Sequence, residues 1–212
     1  MVSFNSLRNV TTTGTHLIAN PSEIVRVPRW LRERKSSMMV LRQPWWPYAM
    51  TELVESVLPP DARVFEYGGG GSSAWLSDHG ARLTVIEHHQ EWCEELRRTL
   101  PNDVELISAP ACDTGVIGSP TEAGYFDDYV KAIDGYPDRS FDLVIVDGRA
   151  RVECISRAKT KVKQGGHLLL DDSDRPRYGA AVTAMSAWQA TTITGLKPGS
   201  PIPATTTIWT KP

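Results

Sequence analysis

Four consecutive glycines, Gly68 to Gly71, follow the short apolar run Val64-Phe65 and the acid Glu66, and two serines, Ser72 and Ser73, come next. Glycines in that setting let the main chain reach positive φ and let a ligand approach the backbone closely. Ala74-Trp75-Leu76 continue in helical spacing, so the stretch reads as a buried strand turning sharply into a helix. The free N–H groups of the new helix would face whatever lies in the turn. After a second strand, Leu83-Thr84-Val85-Ile86, stands Glu87. An acid at that place in a βαβ unit accepts hydrogen bonds from the two hydroxyls of a ribose. The first half of the chain therefore reads as a seat for an adenosine-containing cofactor.

A second group of acids stands at later strand tips. Asp147 ends the run that starts at Phe141, and Asp171-Asp172 end the run that starts at Gly165. Ligands of open α/β sheets bind outside the carboxyl ends of the strands, so these are the informative acids. The two strands are expected to be neighbours, which brings three carboxylates together, and like charges that close raise one another's pKa unless something positive intervenes. A hard cation such as Mg2+ is one candidate, since it takes oxygen ligands and would orient and acidify an acceptor hydroxyl. Arginine is the other. Arg149, Arg151, Arg175 and Arg177 all follow these strand ends, and guanidinium groups neutralise carboxylates by bidentate pairing.

The glycine pattern separates two cofactor classes. Placing the dinucleotide fingerprint Gly-x-Gly-x-x-Gly on Gly68 and Gly70 puts Ser73 where its third glycine belongs, which disfavours a pyrophosphate reader. Glu66-Tyr67-Gly68-Gly69-Gly70 instead resembles the acid-x-Gly-x-Gly first motif of class I S-adenosylmethionine-dependent methyltransferases, with Ser72 where that family often has a further glycine. The likeness covers roughly residues 62–172. It implies that Gly68 and Gly70 pack against the methionine part of the donor, beside Ser72 and Ser73, and that Glu87 holds the ribose. His88 and His89 would lie toward the adenine, which Ser108, Ala109 and Asp113 would line or contact. Within the family, the metal-dependent O-methyltransferases of catechols and of natural-product sugars look similar at the later strands. On that resemblance Asp147, Asp171 and Asp172 would be Mg2+ ligands, although Asp147-Gly148-Arg149-Ala150-Arg151 departs from the metal-binding pattern. Asp147 or Asp171 is the candidate base for removing a proton from an acceptor hydroxyl.

These residues need a scaffold, and the chain supplies a regular one. Strands are expected at 63–67, 82–87, 103–108, 141–147, 166–171, 191–196 and 204–210. Helices are expected at 49–58, 72–79, 90–100, 127–134, 151–163 and 177–189. Alternation of this kind predicts an α/β fold, three-layer and Rossmann-like, doubly wound around a mostly parallel seven-stranded sheet. The Gly/Pro loop Lys197–Pro203 is too short for a crossover helix, so the last strand should be antiparallel. Residues 61–212 would form this donor-binding domain, with 1–60 as an N-terminal extension or helical cap packed on it. Residues 1–27, rich in Thr, Ser and Asn, read as irregular, and a short helix follows Pro28. The basic cluster from Arg26 to Arg42 is either a solvated face or a site for a phosphate-bearing acceptor. Trp45-Trp46, held between Pro44 and Pro47, either staple this segment to the core or stack on a ligand.

Composition bounds the rest. At 212 residues, with 41% apolar and 23% charged residues and a net charge of −2, the chain suits one globular domain with no general pull toward nucleic acid or anionic membrane. Cys93, Cys112 and Cys154 are odd in number and lack metal spacing, which points to a reducing, cytoplasmic setting. No apolar run approaches the ~20 residues that span a bilayer. The expected partner is a small-molecule acceptor, without nucleic acid or membrane, and a homodimer stays open. A nicotinamide- or nucleotide-binding enzyme and a non-catalytic module with a structural acid cluster are the competing readings.

Overall fold

The computed structural model describes residues 4–212. An N-terminal segment carries helices α1 (Phe4–Ala19), α2 (Val27–Glu33), α3 (Met38–Leu41) and α4 (Tyr48–Val57). Strand β1 (Arg63–Tyr67), helix α5 (Gly71–Asp78), strand β2 (Arg82–Glu87), helix α6 (Gln90–Thr99) and strand β3 (Glu105–Ser108) come next. A small hairpin of β4 (Gly118–Ser119) and β5 (Glu122–Tyr125) interrupts the alternation, which resumes with α7 (Asp127–Lys131), β6 (Phe141–Val146) and α8 (Arg151–Lys161). The chain closes with β7 (Val162–Asp171), α9 (Gly179–Ala184), β8 (Gln189–Gly195) and β9 (Ala204–Thr210).

Seven strands form one sheet in the order β3-β2-β1-β6-β7-β9-β8. The pairs from β3 to β7 are parallel. β9 lies antiparallel to both of its neighbours. Side chains of a strand alternate between faces, and the central strands are apolar on both. Phe65, Val146, Leu168 and Leu170 pack with α7, α8 and α9 on one side. Val64, Leu143, Ile145 and Leu169 pack with α4, α5 and α6 on the other. The result is the three-layer, doubly wound sheet that the alternation predicts, with every carboxyl-end acid on one rim.

Two stretches differ from expectation. The N-terminal stretch is helical where an irregular chain was expected, apart from residues 1–3, which lie outside the described residues. Thr11-Thr12-Thr13 and Gly14 are poor helix formers, and tertiary contacts override them: Thr13 Oγ1 donates to Pro201 O at 2.9 Å, and Leu17 packs on the cluster of Trp30, Tyr48 and Leu196. The helix expected at 177–189 is a 3-10 turn (Pro176–Tyr178) and the short α9, and Gln189 already belongs to the sheet, paired with Thr210. Among the described residues, no helix is long and apolar enough to cross a membrane.

Clamps from the N-terminal segment hold the β8–β9 connection. Glu23, 5% exposed, accepts the Leu196 N–H at 2.8 Å and pairs with Arg26 at 2.8 Å. Trp30 Nε1 donates to Ser200 O at 2.8 Å, and Gly199 N to Glu33 O at 3.1 Å. Removing Glu23 would strand the buried Leu196 N–H and take one of two carboxylate partners from the partly buried Arg26. Glu23→Ala is expected to lose about 2–4 kcal/mol in urea denaturation, whereas Glu52→Ala, at the exposed partner of Arg26, should lose no more than about 1 kcal/mol. Equal losses for the two variants would refute the clamp.

Candidate functional site

The glycine turn is fixed from three sides. Gly68 has φ 89°, the left-handed region that favours glycine, and a Cβ there would stand 2.7 Å from Gly148 Cα. The loops after β1 and β6 therefore touch backbone to backbone. A Cβ on Gly71 would meet Gln43 O at 2.1 Å, and one on Gly69 would meet Val85 and Leu96. Gly70 differs: nothing lies within 4 Å of its Cβ position, and it borders the main cavity.

Glu66 supports the turn from beneath. It is fully buried, and its carboxyl oxygens accept the hydroxyls of Ser72 and Ser73, the latter at 2.5 Å. Ser73 Oγ in turn accepts the Gly70 N–H at 3.0 Å. Burial pushes the Glu66 carboxyl up to about 7, against the lowering effect of the two serines. Of the residues expected to bind the donor, Glu66 and Ser73 thus lie under the turn, while Gly68, Gly70, Ser72 and His88 line the cavity. Glu87, 3% exposed, accepts the N–H groups of His88 and His89 on one oxygen, both at 2.8 Å. Its other oxygen takes the Gly69 N–H at 3.2 Å, and Trp92 Nε1 donates to Gly69 O at 2.8 Å. Turn and β2 end are one unit.

The hairpin after β3 is latched to this unit. Glu122 bonds Arg149 at 2.6 Å and His88 Nε2 at 3.1 Å. Some desolvation acts on Glu122, but Arg149 and His88 hold its carboxyl below the usual range. Asp113 is exposed in the same connection and does not line the cavity. Ser108 and Ala109 line a separate groove along the β3 edge.

On the neighbouring strand ends the acids do converge, and arginine is what joins them. Arg151, 7% exposed, pairs with Asp147 Oδ1 at 2.9 Å and approaches Asp172 at 3.8 Å. It also donates to the carbonyls of Gly148, Asp147 and Asp171 at 3.0, 2.9 and 2.6 Å. Arg175 pairs with Asp172 at 2.6 Å, and Thr206 Oγ1 donates to Asp171 Oδ1 at 2.5 Å. The expectation that Asp147, Asp171 and Asp172 bind Mg2+ is not supported: the Arg151 guanidinium lies against the Asp147 and Asp172 carboxylates, Arg175 pairs with Asp172, and among the described residues no three acids, histidines or cysteines form a metal-binding group. Burial is the largest effect on both Asp147 and Asp171, and with the like charge of Asp172 it raises both carboxyls despite the cations nearby. Asp147 has a fifth of its side chain open and lines the cavity. Ala150 and Asp172, beside these acids, have φ of 46° and 52°. Left-handed backbone is strained at a non-glycine residue, less at aspartate than at alanine.

The cavity measures about 860 Å³ and runs from His88 and Trp92, past the glycine turn and the acids, to Lys197, Ser200 and Ile202. Ser36 to Met39 and Trp45 complete its wall. The sequence reading missed Lys197 as a site residue. A lone lysine in a Gly/Pro loop carries no motif, and only its burial marks it. Trp45 and Trp46 part company. Trp46 is fully buried in the core, and Trp45 is half exposed at the cavity.

No protein-family model matches the chain, and no curated protein sequence matches it either. Solved structures do share its fold. A methyltransferase-like protein from Silicibacter pomeroyi superposes with a TM-score of 0.54 at 24% identity, over 79% of this chain and 90% of the other. The 1,6-didemethyltoxoflavin-N1-methyltransferase of Burkholderia thailandensis, with 1,6-didemethyltoxoflavin and S-adenosylhomocysteine bound, gives 0.51 at 13% identity over 100% and 91%. A TehB-like SAM-dependent methyltransferase from Corynebacterium glutamicum gives 0.51 at 14% over 78% and 88%. The chain has the class I methyltransferase fold.

The raised carboxyl of Glu66 has a consequence for stability. Its proton is held to about pH 7 in the folded state against about 4.5 as the ordinary value. The folded state binds the extra proton between those values, so the contribution is full below about pH 4.5 and is lost as pH rises through about 7. A shift of that size corresponds to roughly 3 kcal/mol. Glu66→Gln cannot ionise and should flatten the fall in urea stability from about pH 4 to 9 by that order; Asp147 and Asp171 will keep part of the slope in both proteins. An unchanged slope would remove Glu66 from the account.

Proposed function

We propose that the protein is an S-adenosylmethionine-dependent methyltransferase that methylates a hydroxyl of a small-molecule or glycan-type acceptor, with a strand-end acid taking the hydroxyl's proton and no metal in that step. One observation carries the reading. The positive-φ glycine turn, the Glu87 carboxylate and the strand-end acids open onto one cavity or brace its wall. The residues present fit the donor: Gly70 presents bare backbone to the cavity, and the volume lies within the range of small-molecule and cofactor sites. S-adenosylhomocysteine is bound in the B. thailandensis neighbour of the same fold.

When bound, the donor supplies a methyl group made electrophilic by its sulfonium. The chain's own residues do the rest. Glu87 has one oxygen committed to the His88 and His89 amides and another held by a longer bond to Gly69, and that second oxygen is the one that would turn to the ribose. Gly68 and Gly70 keep the turn free of side chains. Asp147 is held ionic by Arg151. Asp171, raised by burial and by Asp147, is the better base, because a carboxyl titrating nearer neutrality both accepts and releases a proton readily. Thr206 fixes its orientation.

Calorimetric titration should show S-adenosylmethionine and S-adenosylhomocysteine binding at micromolar levels and NAD not binding. Absence of both sulfur ligands at millimolar concentration would end the enzymatic account. Asp171→Asn should bind S-adenosylhomocysteine within about threefold of wild type and lose on the order of 10²-fold or more in transfer to a hydroxyl panel. A base must be ionised, so the wild-type rate should rise with pH through neutrality. Transfer by Asp171→Asn at the wild-type rate would assign the base elsewhere.

A further inference from the structure

Four arginine or lysine side chains line the cavity, and three of them are paired: Arg149 with Glu122, Arg151 with Asp147 and Arg175 with Asp172. Lys197 is different. It is 8% exposed, it lines the cavity, and its Nζ lies 4.5 Å from the centroid of the Trp45 ring. Among the described residues it forms no direct ion pair or hydrogen bond, and the carboxylates of Asp147 and Asp171 feel its charge without contacting it. A buried ammonium facing one aromatic ring lacks the oxygen ligands that normally offset its desolvation. Its loop does not swing freely, since Leu196 and Gly199 on either side are tied to Glu23, Tyr48 and Glu33.

The sheet order says which ligand meets it. Glu87 and the glycine turn sit on β2 and β1, the acids on β6 and β7, and Lys197 follows β8, beyond the acids. Lys197 is thus at the end of the cavity away from the donor seat. We propose that Lys197, backed by Trp45, binds an anionic oxygen group of the methyl acceptor, a carboxylate or a phosphate monoester, placed near the hydroxyl that is methylated. This rests on the methyl-transfer reading above and narrows its substrate to acids.

The test uses the full chain saturated with S-adenosylhomocysteine and three probes followed by ligand-observed NMR: salicylate, its neutral counterpart salicylamide, and phenyl phosphate. At least one anionic probe should bind at least tenfold more tightly than salicylamide, and which one does so separates carboxylate from phosphate. Lys197→Met, of similar length and without charge, should lose that preference while binding S-adenosylhomocysteine within about threefold of wild type; Lys197→Arg should retain it. Equal binding of acid and amide, no binding of any probe, or a preference that survives Lys197→Met would each overturn the proposal. So would a Lys197→Met variant whose only loss is affinity for S-adenosylhomocysteine, which would place the lysine on the donor. Failure of wild type to bind S-adenosylhomocysteine is read separately and strikes the methyl-transfer reading itself.

Discussion

A single guanidinium joins the two strand ends on which the site depends. Arg151 reaches back from the first turn of α8 to the carbonyls of Asp147 and Gly148 and across to that of Asp171, while pairing with the Asp147 carboxylate. A lysine could not do this. The planar fork presents several donors in fixed directions, whereas an ammonium is a point charge. Its ring contact with Tyr178 holds the fork from outside. Breaking such a buried pair by removing one partner costs roughly 3–5 kcal/mol, because the other charge is left without compensation. The positions of β6 and β7 ends, and with them the contact of Gly148 against Gly68, follow from that one side chain.

Much of the scaffold was legible in the sequence because it depends on local pattern. Apolar runs at β1, β6 and β7 carry acids at their ends, and the period of the intervening segments is helical, so the mostly parallel sheet and the rim that carries chemistry follow. The division of labour within the glycine run was not legible. Gly68 is pressed by Gly148, and Gly71 by Gln43, residues distant in sequence, and nothing in four identical letters says that Gly70 alone faces open space. Glu66 shows the same limit. Its spacing from the glycines marked it, but its fully buried place under Ser72 and Ser73 makes it a brace for the turn.

The N-terminal segment was the harder part for the same reason. Its threonines carry weak helical preference, and the helices form against a loop some 180 residues later, where Thr13 meets Pro201 at a separation of 188. Trp45-Trp46 could be read either as a staple or as a platform, and the two take different places: Trp46 fills the core and Trp45 stands at the cavity. The metal expectation failed on chemistry rather than pattern. The acids do converge, but the arginines that follow them reach back and pair with two of the three, Asp147 and Asp172.

What the arginines do not do is return the acids to ordinary behaviour. At an effective dielectric of about 20, a charge pair some 4 Å apart gains about 4 kcal/mol, while the effective penalty for burying an ion is itself several kcal/mol. For Asp147 and Asp171 burial and mutual repulsion exceed the attraction of Arg151 and Lys197, and both carboxyls stay raised. Such a pair titrates as a unit, and the first charge it carries is the one that Arg151 faces at Asp147. Structural pairing and acid/base function are therefore not alternatives in this cavity. The ion pair fixes where one carboxylate stays charged, and that charge tunes its neighbour toward the range in which a base can work.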